Sequence, residues 1–137
     1  KRQIFGRHGR LQRLLRSARS TAFRRNLVLS YDDVIHADTT ASGARRQNLF
    51  PGVCPGWDNT ARRRLGGAFI LTDSTPLKFH KWICQKCEST TWDNLPAPFL
   101  FVNAWNEWAE GNHLEPCERW GKAYLEALNS ALEHFES

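Results

Sequence analysis

The sequence predicts an α/β fold with parallel strands, and three observations lead there. Segments patterned as helices and strands alternate along the chain: helix, strand, helix, loop and strand, helix, strand, helix. Such alternation builds parallel sheets covered by helices. The run Pro98 to Asn103 is apolar on both faces, as strands buried between helical layers are. Near the end, Trp120, Tyr124, Leu128, Leu132 and Phe135 form one apolar stripe at helical spacing.

The elements follow in order. Leu11, Leu14, Leu15, Ala18 and Ala22 share a helical face, with arginines mostly opposite, which predicts a basic helix over 10–24. Residues 26–30 form a short apolar run suited to a buried strand. Residues 31–37 read as a turn into a short helix with an Asp cap, and residues 38–48 as a polar loop. Residues 50–60 are dense in Pro and Gly, so they predict a brief extended segment that ends in a shaped loop. Residues 62–67 read as irregular, and 68–71 as a short strand or an extended connector. Thr72 to Pro76 places cap-type residues before a first-turn proline and so starts a helix over 76–88. Its face is read from Leu77, His80, Lys81 and Cys84. A polar loop over 89–97, the strand at 98–103 and a helix over 118–135 complete the chain.

At 137 residues, 41% of them hydrophobic and 24% charged, the chain has the composition of one modest globular domain. Its longest apolar run is far short of a membrane span, and no secretory signal is visible in the first residues. No methionine is present, so the sequence is expected to be a piece of a longer protein. The net charge of +5 is concentrated at one end: residues 1–25 hold nine of the 19 Lys and Arg and no acid. A solvated Arg-rich helix face accounts for this most simply, and no nucleic-acid partner is expected, although a basic nucleic-acid-binding protein stays an alternative. Cys84 and Cys87 have CxxC spacing, but no second knuckle accompanies them. Core or surface thiols are therefore expected, with no metal and no cofactor, reduced in a cytosol.

The chemistry concentrates in residues 103–116, NAWNEWAEGNHLEP. Glu107 and Glu110 follow the apolar run at a spacing of three. A helical turn there brings their Cβ atoms to roughly 5–6 Å, close to the carboxyl separation of about 5–5.5 Å that retaining glycosidases use. Glutamates capping the next helix would give the same spacing. The density of unusual residues around them favours a site: Trp105 and Trp108, Asn103 and Asn106, then a glycine. Upstream, PGWDNTARR at 55–63 supplies Trp57 as an aromatic platform, Asp58 and Asn59 for sugar hydroxyls, and Arg62 for an acidic group. His113, near the acids, is a further candidate contact.

NAWNEWAEGNHLEP, PGWDNTARR and the closing RWGKAYLEAL resemble the WbsX family of bacterial polysaccharide-biosynthesis proteins. That family is similar in turn to the endo-α-mannosidases of glycoside hydrolase family 99. The resemblance covers about residues 27–137 and implies two regions, a basic segment over 1–26 and the C-terminal βα units over 27–137. It implies the C-terminal part of a (β/α)8 TIM-type barrel, which this chain is too short to close, since a whole barrel takes about 250 residues. It implies an oligosaccharide or polysaccharide substrate, and the missing N-terminal part of the barrel as a partner. By motif position Glu107 matches the base acting on the sugar's own 2-hydroxyl, through a 1,2-anhydro sugar, and Glu110 matches the general acid. Ala109 stands where the mannosidases usually carry His, which bears on mannose specificity. A retaining glycoside-acting enzyme of surface polysaccharide metabolism is the leading expectation. A WbsX-type glycosyltransferase and a non-catalytic sugar-binding remnant are the alternatives.

Overall fold

The computed structural model describes residues 26–40, 49–63 and 66–136. The expected basic helix over 10–24 lies outside these residues, as do positions 41–48 of the expected polar loop. The described elements are β1 (Leu27–Ser30), α1 (Tyr31–Thr40), β2 (Gly52–Val53), β3 (Phe69–Thr72), α2 (Pro76–Ser89), β4 (Phe101–Val102), β5 (Asn106–Glu107), β6 (Asn112–His113) and α3 (Ala123–Glu136). Single 3-10 turns at Thr60–Arg62, Trp92–Asn94 and Trp108–Glu110 punctuate them.

The architecture is mixed α/β with parallel pairing, and no sheet closes among the described residues. β1 runs parallel to β3, from Leu27 opposite Phe69 to Ser30 opposite Thr72. β2 runs parallel to β4, and β5 and β6 form an antiparallel hairpin. The second edge of β3 is taken by Trp57–Asn59. The Leu71 N–H donates to the Trp57 carbonyl at 2.7 Å and the Asn59 N–H to the Phe69 carbonyl at 3.3 Å. The loop after β2 is thereby stitched to the sheet.

α2 begins where its caps place it. The Thr75 side chain accepts from the Lys78 N–H and Pro76 occupies the first turn, where a missing N–H costs nothing. Its buried face is a different one from the face expected. Phe79, Trp82, Ile83 and Cys87 point inward, while Leu77 is 78% exposed. Both sets have helical spacing, and the set with two large aromatics removes more apolar area from water, at about 25 cal/mol per Å². α2 packs on α3 through Phe79, whose ring meets Tyr124 edge-on at 5.6 Å.

α1 starts at once after β1 and runs three residues beyond the expected short helix, through Thr40. Tertiary bonds extend it: Asp38 accepts from the Trp82 indole at 2.8 Å and from Lys86 at 2.7 Å. Tyr31, expected in a turn, is its first residue and fully buried, with its hydroxyl donating to the Cys54 carbonyl. Burial drives the Tyr31 phenol far above its ordinary value and the Cys54 thiol up to about 12.

The expected buried strand over 98–103 reduces to Phe101–Val102. It is not covered on both faces: Phe99 is 57% and Phe101 59% exposed. β4 has a strand partner on one edge alone among the described residues, and Phe50 meets both aromatic rings at about 6 Å from one side. The final helix begins at Ala123 rather than 118, because Cys117 and Gly121 pair across a tight turn that holds Trp120 ahead of the helix. In the expected stripe Tyr124 is buried, but Leu132 and Phe135 are 40% and 41% exposed, and Ala131 is fully buried instead.

Candidate active site

The site is built from three loops that leave the C-terminal ends of parallel strands: 54–63 after β2, 73–75 after β3 and 103–113 after β4. The third does not turn into a helix. It forms the β5–β6 hairpin, with Asn106 opposite His113 and Glu107 opposite Asn112. The 3-10 turn Trp108–Glu110 closes it, and Gly111 caps the turn at φ 56°. A 3-10 turn has about three residues per revolution, so side chains three apart come round to the same side.

Glu107 and Glu110 accordingly meet a common partner. One terminal nitrogen of Arg62 lies 3.2 Å from Glu107 Oε2 and the other 3.3 Å from Glu110 Oε1. The Glu107 side chain is 47% exposed and that of Glu110 18%. Backbone bonding fixes the approach, since the Asp58 N–H donates to the Glu110 carbonyl at 2.7 Å. A Cβ on Gly111 would stand 3.3 Å from Asp58, so glycine serves both the left-handed turn and the close contact.

On the other flank of the turn lies a half-open cavity of about 800 Å³. Trp57, Asp58, Trp108 and His113 line it, but neither catalytic candidate carboxylate does. Trp108 and Gly111, which alternate with the acids along the turn, face it instead. The Trp108 indole stacks on the His113 ring with centroids 3.8 Å apart and donates to Glu115 at 2.6 Å. Both His113 ring nitrogens and the Trp57 indole nitrogen are buried without a protein partner among the described residues. Burial lowers the His113 pKa against the pull of Glu115, leaving a neutral imidazole at pH 7.

The profile described as "Glycosyltransferase WbsX" matches residues 3–128. The chain belongs to the WbsX family. Two curated relatives, both called "Uncharacterized protein WxcX" and from two strains of Xanthomonas campestris pv. campestris, are 42% identical over 90 residues. That stretch is 64% of this chain and 13% of each relative, so the match spans about one eighth of those proteins. No solved structure matches.

The WbsX chain gathers its sequence-predicted residues unevenly. Arg62, Glu107 and Glu110 form one cluster, and Trp57, Asp58, Trp108 and His113 line the cavity. Asn59 is almost fully buried and its Oδ1 accepts from the Phe69 N–H at 2.8 Å, so it holds the loop to β3. Trp105 and Asn106 are exposed and lie outside the cavity, and the Trp105 carbonyl accepts the Leu114 and Glu115 N–H groups. The sequence reading missed Asp73, Ser74, Trp120 and Tyr124, which line the cavity. Asp73 and Ser74 carried a signal read as helix capping alone. Trp120 and Tyr124 were absorbed into an apolar stripe. Among the described residues no cluster of metal-ligating side chains occurs, and no helix is long and apolar enough to cross a membrane.

Proposed function

We propose that this WbsX chain carries the acid pair of an enzyme that breaks or forms glycosidic bonds in bacterial surface polysaccharide metabolism, in the cytosol. The observation that carries the reading is the convergence of the Glu107 and Glu110 carboxylates on the single guanidinium of Arg62. Two acids within reach of one fork are close enough to act on one acetal. One protonates the departing oxygen, and the other takes a proton or attacks the anomeric carbon, as in retaining glycoside chemistry. The resemblance to the family 99 mannosidases divides the work. Glu107 deprotonates the sugar's 2-hydroxyl, which displaces the leaving group as Glu110 protonates it. Glu110 then serves as base for the incoming hydroxyl. Arg62 stands between the acids, so substrate must displace it or bind beside it. The aromatic-walled cavity next to the turn holds the glycan. The parallel pairs β1–β3 and β2–β4 supply strands of a TIM-type barrel whose remainder is contributed by other sequence, with the site at the strands' C-terminal ends.

A second reading, glycosyl transfer, is favoured by the family's description. It uses the same pair, with an acceptor hydroxyl in place of water. Either way, Glu107→Gln and Glu110→Gln in the complete protein are each expected to lower kcat by about 10²–10⁴-fold, the usual worth of acid–base catalysis. Glycan binding measured by calorimetry is expected to persist. Wild-type turnover in either variant removes the acid-pair assignment.

A further inference from the structure

The charge of the cavity wall narrows what can enter it. Three carboxylates line the cavity among the described residues, those of Asp58, Asp73 and Glu118, against one guanidinium, Arg119. Arg119 lies over the Trp120 ring at 4.9 Å from its centroid. Arg62, outside the wall, has both terminal nitrogens engaged by Glu107 and Glu110. Asp58 spends one carboxylate oxygen on the Thr60 N–H, which leaves its second oxygen for a ligand. Much of the remaining wall is aromatic: Trp57, Trp108, Trp120, Tyr124 and a stacked His113. A site for phosphate or carboxylate gathers Arg and Lys forks or helix N-terminal N–H groups. This wall does the reverse.

We propose that the cavity receives a glycosyl unit without an anionic substituent, and that it prefers an amine-bearing unit over a neutral one. The inference rests on the glycan-binding reading of the site and adds the charge class of its ligand. Hydroxyl groups donate to the three carboxylates, the flat apolar face of the ring lies on a tryptophan, and an ammonium gains from carboxylates and indole faces alike. A uronic acid, or the diphosphate of a nucleotide-activated sugar, instead meets a net excess of negative charge. A sugar donor with a diphosphate leaving group therefore does not dock here, and the glycan in this cavity is an assembled, uncharged or amino-bearing chain.

The test uses the complete protein that carries this chain and probes matched in everything but charge. Tetrasaccharides built on gluco, galacto and manno backbones carry a neutral hydroxymethyl, an amine or a carboxylate, and UDP-glucose is added as the diphosphate probe. Binding is read by saturation-transfer NMR and calorimetry at low salt. Expected is the order amine, neutral, anionic, with roughly tenfold or more between the first and last, and a smaller gap at high salt. Asp73→Asn with Glu118→Gln is expected to shrink the gap. Asn tolerates the left-handed backbone that Asp73 adopts at φ 62°, and a circular dichroism spectrum of the variant checks its fold. Equal affinity across the series, or tightest binding of the carboxylate or UDP-glucose, overturns the inference and leaves the glycan-binding reading standing. Failure of every probe to bind overturns both.

Discussion

The two flanks of the Trp108–Glu110 turn treat polar groups in opposite ways. Toward Arg62 the polar groups are partnered, with one terminal nitrogen of the guanidinium against each carboxylate at 3.2 and 3.3 Å. Toward the cavity the ring nitrogens of Trp57 and His113 are buried without partners among the described residues. Each charged group of that cluster already has a partner. Unsatisfied buried nitrogens cost free energy until something binds near them. Under the proposed function, recognition falls to the cavity and proton chemistry to the acids. One four-residue hairpin connection relates the two.

The most damaging change to that relation is at Gly111. Its backbone is left-handed, and an added Cβ meets Asp58 at 3.3 Å. Gly111→Ala is expected to cost about 1–2 kcal/mol from the left-handed backbone alone, read as a lower midpoint in urea unfolding. Crowding Asp58 also disturbs its 2.7 Å bond to the Glu110 carbonyl. Both flanks should suffer together: glycan binding and turnover fall in step, whereas the carboxylate-to-amide variants lose turnover alone. A Gly111→Ala protein with unchanged stability would mean that the turn is not the element joining them.

The same hairpin marks how far the sequence could be read. The closeness of Glu107 and Glu110 was legible because their spacing is local, and so were β1 and the capped start of α2. The buried face of α2 was not. Leu77, His80, Lys81 and Cys84 satisfy helical spacing as well as Phe79, Trp82, Ile83 and Cys87 do, and the choice between them is made by α3 and the sheet. Phe99 and Phe101 look like buried strand residues in sequence yet are more than half exposed, since an apolar run does not specify what covers it. Asp73 and Ser74 join the cavity through β3's position beside the Trp57–Asn59 loop, a contact with no local signature.

A smaller effect separates the flanks by pH. Burial depresses the His113 pKa below its ordinary value of 6.5, against the pull of Glu115. Below pH 6.5 the unfolded chain binds a proton here that the folded chain does not. The His113 contribution is therefore full above about 6.5 and is lost as the pH falls through the lower, folded-state value. Chemical unfolding at a series of pH values should show this loss, and His113→Gln should flatten it. An unchanged slope in that variant would mean that the imidazole is not what senses the proton.

The smallest change in stability is expected at the most conspicuous contact. Arg62 is 53% exposed and its partner Glu107 47%, and solvent-exposed ion pairs contribute roughly 0–1 kcal/mol, screened by salt. Arg62→Ala should thus lower stability by less than about 1 kcal/mol in urea unfolding, although the residue spans 45 and 48 positions of sequence to reach its two partners. If the cluster existed to fasten the 54–63 loop to the hairpin, the loss would be larger and would grow at low ionic strength. A small, nearly salt-independent loss says instead that the backbone bonds of Asp58 and Leu71 hold the loop. The arginine is then free to yield the space between the two acids to a substrate oxygen, which is what the acid-pair reading needs from it.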